Sequence, residues 1–403
     1  MEPRLSTLLK VTLTCFIYIL QINGFFPYFF HKSDRILYHS NICILYSMIY
    51  LPAYAYFIGR SNLATLANLI SFKYDHNALL LGASVFSAYF QVFAMSFEVW
   101  IKREEFRLLF NQLLRLWSDL RKNDVSTSFD RKLLLKFCYK LFAVDGVTIF
   151  LVAVYYSARD DYKLVETISR VSPFVTSSAM SNFFISIGYL GAHYHRLVND
   201  RIGRINCKVA KIDQNSYFWR LQPEKKRQTI EKLSGEFRQI VNLHGKINRL
   251  IMRFMELHSA TLIIMAAKNF ILIITGLFGI YGSTLALISR NMRPQLGSCA
   301  FYSILTLFAA VEFYFWVGSA AIFTKRAEKT GAIIEDFAAD ESVALDELMK
   351  SISLELLHTD HNIEALGFFR VDFSLLFAAL GTMINYLIVA VQFQITRGSK
   401  NQA

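Results

Sequence analysis

Apolar residues gather in seven windows, near 36–58, 78–100, 137–157, 171–193, 262–288, 299–323 and 373–395. Each approaches the roughly 20 residues a helix needs to cross the hydrocarbon core of a bilayer. None shows the period-two alternation of a barrel strand, so helices are expected, because lipid offers nothing to satisfy free backbone N–H and C=O groups. Between the windows the pattern changes to apolar residues every three or four positions. Ile230, Leu233, Phe237, Ile240, His244, Ile247, Ile251, Phe254 and His258 form one such seam leading into the fifth window. Val198, Ile202, Ile205, Val209 and Ile212 form another below the fourth, reaching on to Trp219 before Pro223. Phe106, Phe110, Leu113, Trp117 and Leu120 extend the second, and Leu345, Leu348, Ile352 and Leu356 precede the seventh. Seams of this kind must pack on one another, which predicts a helical bundle continuous with the membrane part.

The stretch from Lys10 to Phe26 has a short apolar core, Val11 to Ile22, too short for a span. An interfacial or packed helix is expected there rather than a cleaved signal peptide. Lys and Arg are retained on the cytoplasmic side, so their distribution reads orientation. The N-terminus and the second, fourth and sixth loops carry 33 of them, including ten from Lys102 to Lys140, and the alternate set carries 9. The N-terminus is therefore expected inside and the C-terminus outside. The net charge of +12 is largely this orientation signal and calls for no nucleic-acid partner. Five cysteines, an odd number, imply no disulfide framework.

In the last window, Ser374, Ala378, Gly381, Asn385, Ile388, Gln392 and Thr396 fall within about 40° of one line at 100° per residue. Leu376, Leu380, Met383 and Leu387 occupy the opposite side. Asp372 can cap the helix start, and Gly367 permits a break before it. A small, polar stripe has two readings: a close helix–helix interface, or the wetted wall of a pore. A pore would need several subunits around an axis, and with no Asp or Glu on the stripe its filter would be neutral and loosely selective.

The segment NYLIVAVQF, Asn385 to Phe393, resembles the signature TYhhhhhQF (h, hydrophobic) that ends insect gustatory receptors. It matches at Tyr386, at five apolar residues, and at Gln392 and Phe393, with Asn385 in place of the usual threonine. Leu357, His358, Gly367, Phe368, Asp372, Leu375 and Leu376 upstream also sit in familiar places. The resemblance implies an all-α, seven-transmembrane-helix, tetrameric ligand-gated cation channel with a cytoplasmic anchor bundle. In that arrangement the last helix lines the pore, Gln392 and Phe393 lie at the gate, and each subunit holds a ligand pocket among its first six spans. It further implies a small-molecule tastant, monovalent and divalent cations and membrane lipid as partners, in a homotetramer or a heteromer with related subunits. The plasma membrane of chemosensory neurons is the implied location. An odorant-receptor-like subunit needing a co-receptor and a metabotropic seven-helix chemoreceptor are the alternatives.

On this reading residues 1–35 form a cytoplasmic N-terminal segment, 36–323 the six-helix ligand-binding region with its cytoplasmic extensions, 324–371 the anchor segment, and 372–403 the pore helix with a short outer tail. Asp145, Lys268 and Glu312 fall inside windows, where charge is costly and usually paired or facing water. Glu312 is a candidate pocket floor or, equally, half of a structural pair; Lys268 is expected to snorkel to the inner surface, and Asp145 to be structural. Phe150, Tyr155, Tyr281 and Tyr302, in the outer halves of the spans, are candidate pocket walls, because aromatic walls suit organic ligands. A weakly charged aromatic pocket leans toward bitter or noxious plant compounds over sugars. His358, His361 and Glu364 recur at spacing three but lack a fourth ligand, so no metal site is expected. No cofactor motif and no nucleophile–base arrangement occurs, and an enzyme is not expected.

Overall fold

A computed structural model describes residues 12, 14–31, 36–70, 76–122, 131–158, 164–289, 293–335 and 343–400. The N-terminal basic residues Arg4, Lys10, Lys32 and Arg35 lie outside this set. Helix α1, residues 14–22, buries Phe16 and Leu20 and leaves Tyr18 and Ile22 exposed. Gly24, at φ +74°, turns the chain toward a hairpin of β1 (Tyr28–His31) and β2 (Ile36–His39). The sequence pattern begins the first span at residue 36, whereas helix α2 (Asn41–Ile70) begins five residues later. Residues 36–39 pair with β1 instead, and the Asn111 amide holds both backbone groups of Leu37, accepting from its N–H at 2.7 Å and donating to its carbonyl at 3.2 Å.

Helix α3 (His76–Ile101) passes through Lys102 into α4 (Arg103–Lys122), which carries Asn111. Next, α5 (Arg131–Cys138), a π-helical stretch (Tyr139–Gly146) and α6 (Val147–Ser157) make one rod through the third window. Helix α7 (Leu164–Gln214) runs 51 residues, about 75 Å at 1.5 Å per residue, far longer than a bilayer requires. The short α8 (Ser216–Arg220) reverses the chain into α9 (Pro223–Leu257), with Pro223 opening the helix where its missing N–H costs nothing. Then come α10 (Ser259–Ser289), α11 (Arg293–Glu335), α12 (Val343–His358), a hairpin of β3 (Glu364–Ala365) and β4 (Phe369–Arg370), and α13 (Phe373–Lys400). A helix overlaps every one of the seven windows. Among the described residues, Arg131–Ser157, Ser259–Leu287 and Leu296–Ile334 are helical stretches long and apolar enough to cross a membrane.

The seams do pack on one another. Leu233, Phe237, Ile240, Ile247, Ile251 and Phe254 of α9 are buried, as are Val198, Ile202, Ile205, Val209 and Ile212 of α7. The α9–α10 junction breaks at His258. There Lys102 Nζ donates to the carbonyl of Leu257 at 2.9 Å, a cation satisfying a helix C-terminus, while Thr261 Oγ1 and His258 Nδ1 lie 2.6 and 3.3 Å from a Glu98 carboxylate oxygen. The break before α13 comes earlier than Gly367: α12 ends at His358, and Leu366 (φ +49°) and Gly367 (φ +71°) form the turn of the β3–β4 hairpin.

Helices α10 and α11 approach closely because α10 offers glycine. A Cβ added at Gly279 would lie 2.4 Å from the Tyr302 ring. Gly279→Ala should therefore force the ring and helix apart, destabilising the fold by about 1–3 kcal/mol. Gly381→Ala, with open space around it, should leave the thermal midpoint of the purified protein unchanged or slightly raised. Melting of the two detergent-solubilised variants side by side checks the contrast.

Candidate functional site

Helix α13 starts on Asp372, whose Oδ1 accepts from the backbone N–H of Ser374 at 2.9 Å and of Leu375 at 3.3 Å. The Ser374 hydroxyl also donates to this oxygen, and that bond, first among several, holds the Asp372 carboxyl below its ordinary range. One stripe residue is thus engaged by the cap. The helix rests on α10 and α11 through Leu375, Leu376, Ala379 and Met383, with the Tyr386 ring edge-on to Phe270 at 6.0 Å and Phe373 beside Tyr314 at 6.1 Å. The packed arc is opposite the stripe: Ser374, Ala378, Gly381, Asn385, Ile388 and Gln392 are all exposed, whereas Met383 is 1% exposed. Phe393 lies on the same helix, and its side chain falls outside the described residues.

The charges inside the windows meet in a polar network. Lys268 Nζ of α10 donates to Glu312 Oε1 of α11 at 2.5 Å and to Ser177 Oγ of α7 at 2.7 Å. Ser181 Oγ donates to the same Glu312 oxygen at 2.6 Å, and Ser177 donates to Gln91 Oε1 of α3 at 2.7 Å. The second pair is Lys140 with Asp145, to which Asn182 Nδ2 also donates at 2.6 Å. Both lysines and Glu312 are essentially inaccessible. Two expectations are corrected here. Lys268 does not snorkel, because Glu312 lies within reach one helix away and the pair satisfies it in place. Lys140, read as a loop cation, is inside the bundle, since the π-helical stretch turns it onto Asp145. Glu312 Oε2, Gln91 Nε2 and both side-chain atoms of Asn269 are buried without a hydrogen-bond partner, so the network retains capacity for further polar contacts.

The candidate pocket aromatics divide. Tyr155 stacks on Phe301 with centroids 4.1 Å apart, and Phe301 meets Tyr302 edge-on at 5.5 Å, so α6 and α11 join Tyr155 and Tyr302 in one aromatic group. Tyr281 lies beside Phe278 at 6.4 Å, and Phe150 is 65% exposed, turned away from this group. Glu312 lies ten residues along α11 from Tyr302, about 15 Å at helical rise, so it belongs to the ionic network and not to the aromatic group. Sequence reasoning missed Gln91, Ser177, Ser181, Lys140 and Asn182 in this network. Ser177 and Ser181, four apart within an apolar window, are the signal that could have found them.

Where α7, α9 and the segment after α12 meet, the rings of His195 and His244 stand 4.6 Å apart and those of His244 and His361 5.4 Å apart, all buried. Burial lowers all three pKa values, that of His244 to about 4, with the neighbouring imidazoles adding to the shift at His195 and His244. Glu328 and Asp360 oppose the shift at His361. The spacing-three residues do not converge: His358 is exposed, His361 faces His244, and Glu364 pairs with Arg370 at 3.2 Å. No group of three metal-ligating side chains is gathered among the described residues.

Long apolar helices, an exposed polar stripe on the last of them and a buried ionic network define a polytopic helical membrane protein. Comparison with known sequences makes this specific: the family described as 7tm Chemosensory receptor matches residues 13–397, and the chain belongs to that family. The putative gustatory receptor 28b of Drosophila melanogaster is 34% identical over 70 residues, 17% of this chain and only 15% of that receptor's length. The fold is that of the insect olfactory receptor OR5 of Machilis hrabei, with a TM-score of 0.65 at 14% identity over 96% of this chain and 98% of that one. The same receptor in complex with eugenol gives 0.64 at 13% identity, covering 95% and 98%.

Removing one partner of the Lys268–Glu312 pair leaves the other buried and uncompensated, at a cost of about 3–5 kcal/mol. Glu312→Leu should sharply reduce folded protein in detergent size-exclusion profiles, and the double change Lys268→Met, Glu312→Leu should recover most of it. The histidine cluster sets a pH dependence. Below the unfolded pKa of 6.5 the unfolded chain takes up a proton at His244 that the native state refuses until about pH 4, so stability falls as pH drops through that window. The slope from His244 alone is about 1.4 kcal/mol per pH unit. Thermal melts from pH 7.5 to 4 should show the decline, and His244→Phe should make it shallower, with the contributions of His195 and His361 remaining.

Proposed function

We propose that this chain is a gustatory receptor acting as a ligand-gated, non-selective cation channel in the plasma membrane of chemosensory neurons. Seven helices cross the membrane with the N-terminus inside and the C-terminus outside. Membership of the chemosensory receptor family and the asymmetry of Lys and Arg between alternate loops support this reading. The observation that carries it is the orientation of α13. Its apolar arc packs on α10 and α11, and its small and polar stripe is exposed on the opposite side. Copies of the chain around one axis would place Gly381, Asn385, Ile388 and Gln392 along a shared pore, with Gln392 and Phe393 at the gate. Without carboxylates the stripe forms no ring of fixed charge, which suits monovalent and divalent cations passed with little discrimination.

Assembly is a homotetramer or a heteromer with related subunits, the uncovered apolar residues of α13, among them Phe377 and Ile384, meeting neighbours or lipid. The ligand is a small-molecule tastant, with bitter or noxious plant compounds favoured. It would lie among the first six spans, between the Tyr155–Phe301–Tyr302 group and the ionic network around Glu312, whose partnerless buried atoms suit a ligand with a few polar groups. An olfactory receptor with this fold has been solved with the small molecule eugenol, which supports a small organic ligand here.

The test is current in excised patches, without nucleotide, from cells expressing the chain alone or with related subunits. A panel of tastants is applied. Gln392→Ala or Asn385→Ala should change relative permeability among Na+, K+ and Ca2+ by several-fold while the variants reach the surface normally. Unchanged permeability across substitutions at Gly381, Asn385, Ile388 and Gln392 would reject the pore assignment.

A further inference from the structure

The membrane-distal end of the α7–α9 pair bears a surface that neither the pore nor the ligand pocket uses. Here α8 caps the two helices and a groove of about 620 Å³ opens between them, lined by Lys208, Lys211, Lys232, Phe218, Trp219 and Leu233 among others. Its rim exposes large apolar side chains without cover: Tyr217 is 78% accessible, Phe218 51% and Leu221 67%. Exposed aromatics in a row on a polar tip are costly in water unless another surface covers them. The ring around them is basic: residues 208–236 hold seven Lys and Arg against four Asp and Glu. Two of those carboxylates are already engaged, Glu236 with Lys208 at 3.6 Å and Glu231 with Arg227 at 3.2 Å.

Position rules out the bilayer as the cover. The fourth apolar window ends near residue 193, and Gln214, the last residue of α7 before the α8 turn, lies 21 residues beyond it, roughly 32 Å at helical rise. Electrostatic attraction to anionic headgroups fades within a Debye length of about 8 Å. The occupant therefore lies outside the bilayer. A groove between two helices, lined by Phe218, Trp219, Leu233 and three lysines and flanked by exposed Tyr217 and Leu221, matches an amphipathic helix whose apolar side fills the groove and whose acidic side meets the lysines.

We propose that the α8 tip is a docking site for an acidic amphipathic helix of a soluble protein, on the side that the charge distribution makes cytoplasmic. Phe218, Tyr217 and Leu221 anchor it, and Lys208, Lys211 and Lys232 select its charge. The proposal rests on the inside orientation only for which compartment supplies the partner; the surface chemistry is independent of it.

The test uses full-length protein in detergent, where orientation plays no part, and a fluorescein-labelled 20-residue peptide with leucines on one helical face and glutamates on the other. Fluorescence anisotropy should show saturable binding that weakens as NaCl rises. Lys208→Glu with Lys211→Glu, and separately Tyr217→Ser with Phe218→Ser, should each weaken it about tenfold or more, with elution volume and thermal midpoint unchanged. Both pairs are surface changes, so a retained midpoint reports an intact fold. Equal binding of a peptide with the same composition and a scrambled apolar face would overturn the proposal. So would a tip-dependent retention on phosphatidylserine vesicles exceeding that on the peptide, which would make the site a lipid site. A change in oligomer mass by light scattering in the Tyr217, Phe218 variant would assign the surface to a second copy of this chain instead. Failure of the orientation reading would show separately, as labelling of an introduced cysteine at position 217 by a membrane-impermeant reagent on intact cells.

Discussion

Two lysines and two carboxylates held in an apolar interior constrain the rest of this molecule. An isolated charge at that depth would cost several kcal/mol, so Lys268 needs Glu312 and Lys140 needs Asp145, and each pair needs the hydroxyls and amides that complete it. These partners come from α3, the π-helical stretch, α7, α10 and α11. Satisfying the charges therefore fixes how five segments stand relative to one another, and apolar packing, which has little directionality inside lipid, fills the space between them. The close approach of Gly279 to Tyr302 is set in that frame.

Helix α13 stands outside this frame. Among the described residues it shares no ionic contact with the network, and it touches α10 and α11 along one arc. Its opposite arc, small and polar, is exposed along Ser374, Ala378, Gly381, Asn385 and Ile388. On the proposed reading, neighbouring subunits and water meet that arc.

The link between the frame and α13 lies in the segment between α12 and α13. Thr324 of α11 donates to the His361 carbonyl at 3.0 Å, Asn248 of α9 donates to the Asp360 carbonyl at 3.1 Å, and the His361 ring packs on His244. The segment leading into α13 is thereby tied to α9 and to α11, which carries Glu312. On the proposed channel reading, displacement of α11 by a ligand would reach the start of α13 through these ties, where Asp372 holds the first turn.

Much of this was legible from residue order. Seven helical windows, the inward seams, the Asp372 cap and the family signature follow from hydrophobic period and local chemistry, which depend on neighbours within a few positions. The start of α2 was not legible, because Ile36–His39 is as apolar as a span and only pairing with β1 and the reach of Asn111 makes it a strand. Nor was the fate of Lys140 and Lys268, nor the meeting of His195, His244 and His361. A lone lysine in an apolar run looks the same whether it reaches the membrane surface or a carboxylate on another helix. Periodicity decided which side of each helix is apolar; only tertiary structure decided which polar group meets which, because that depends on distances between residues as far apart in the chain as Glu98 and Thr261, separated by 163 positions.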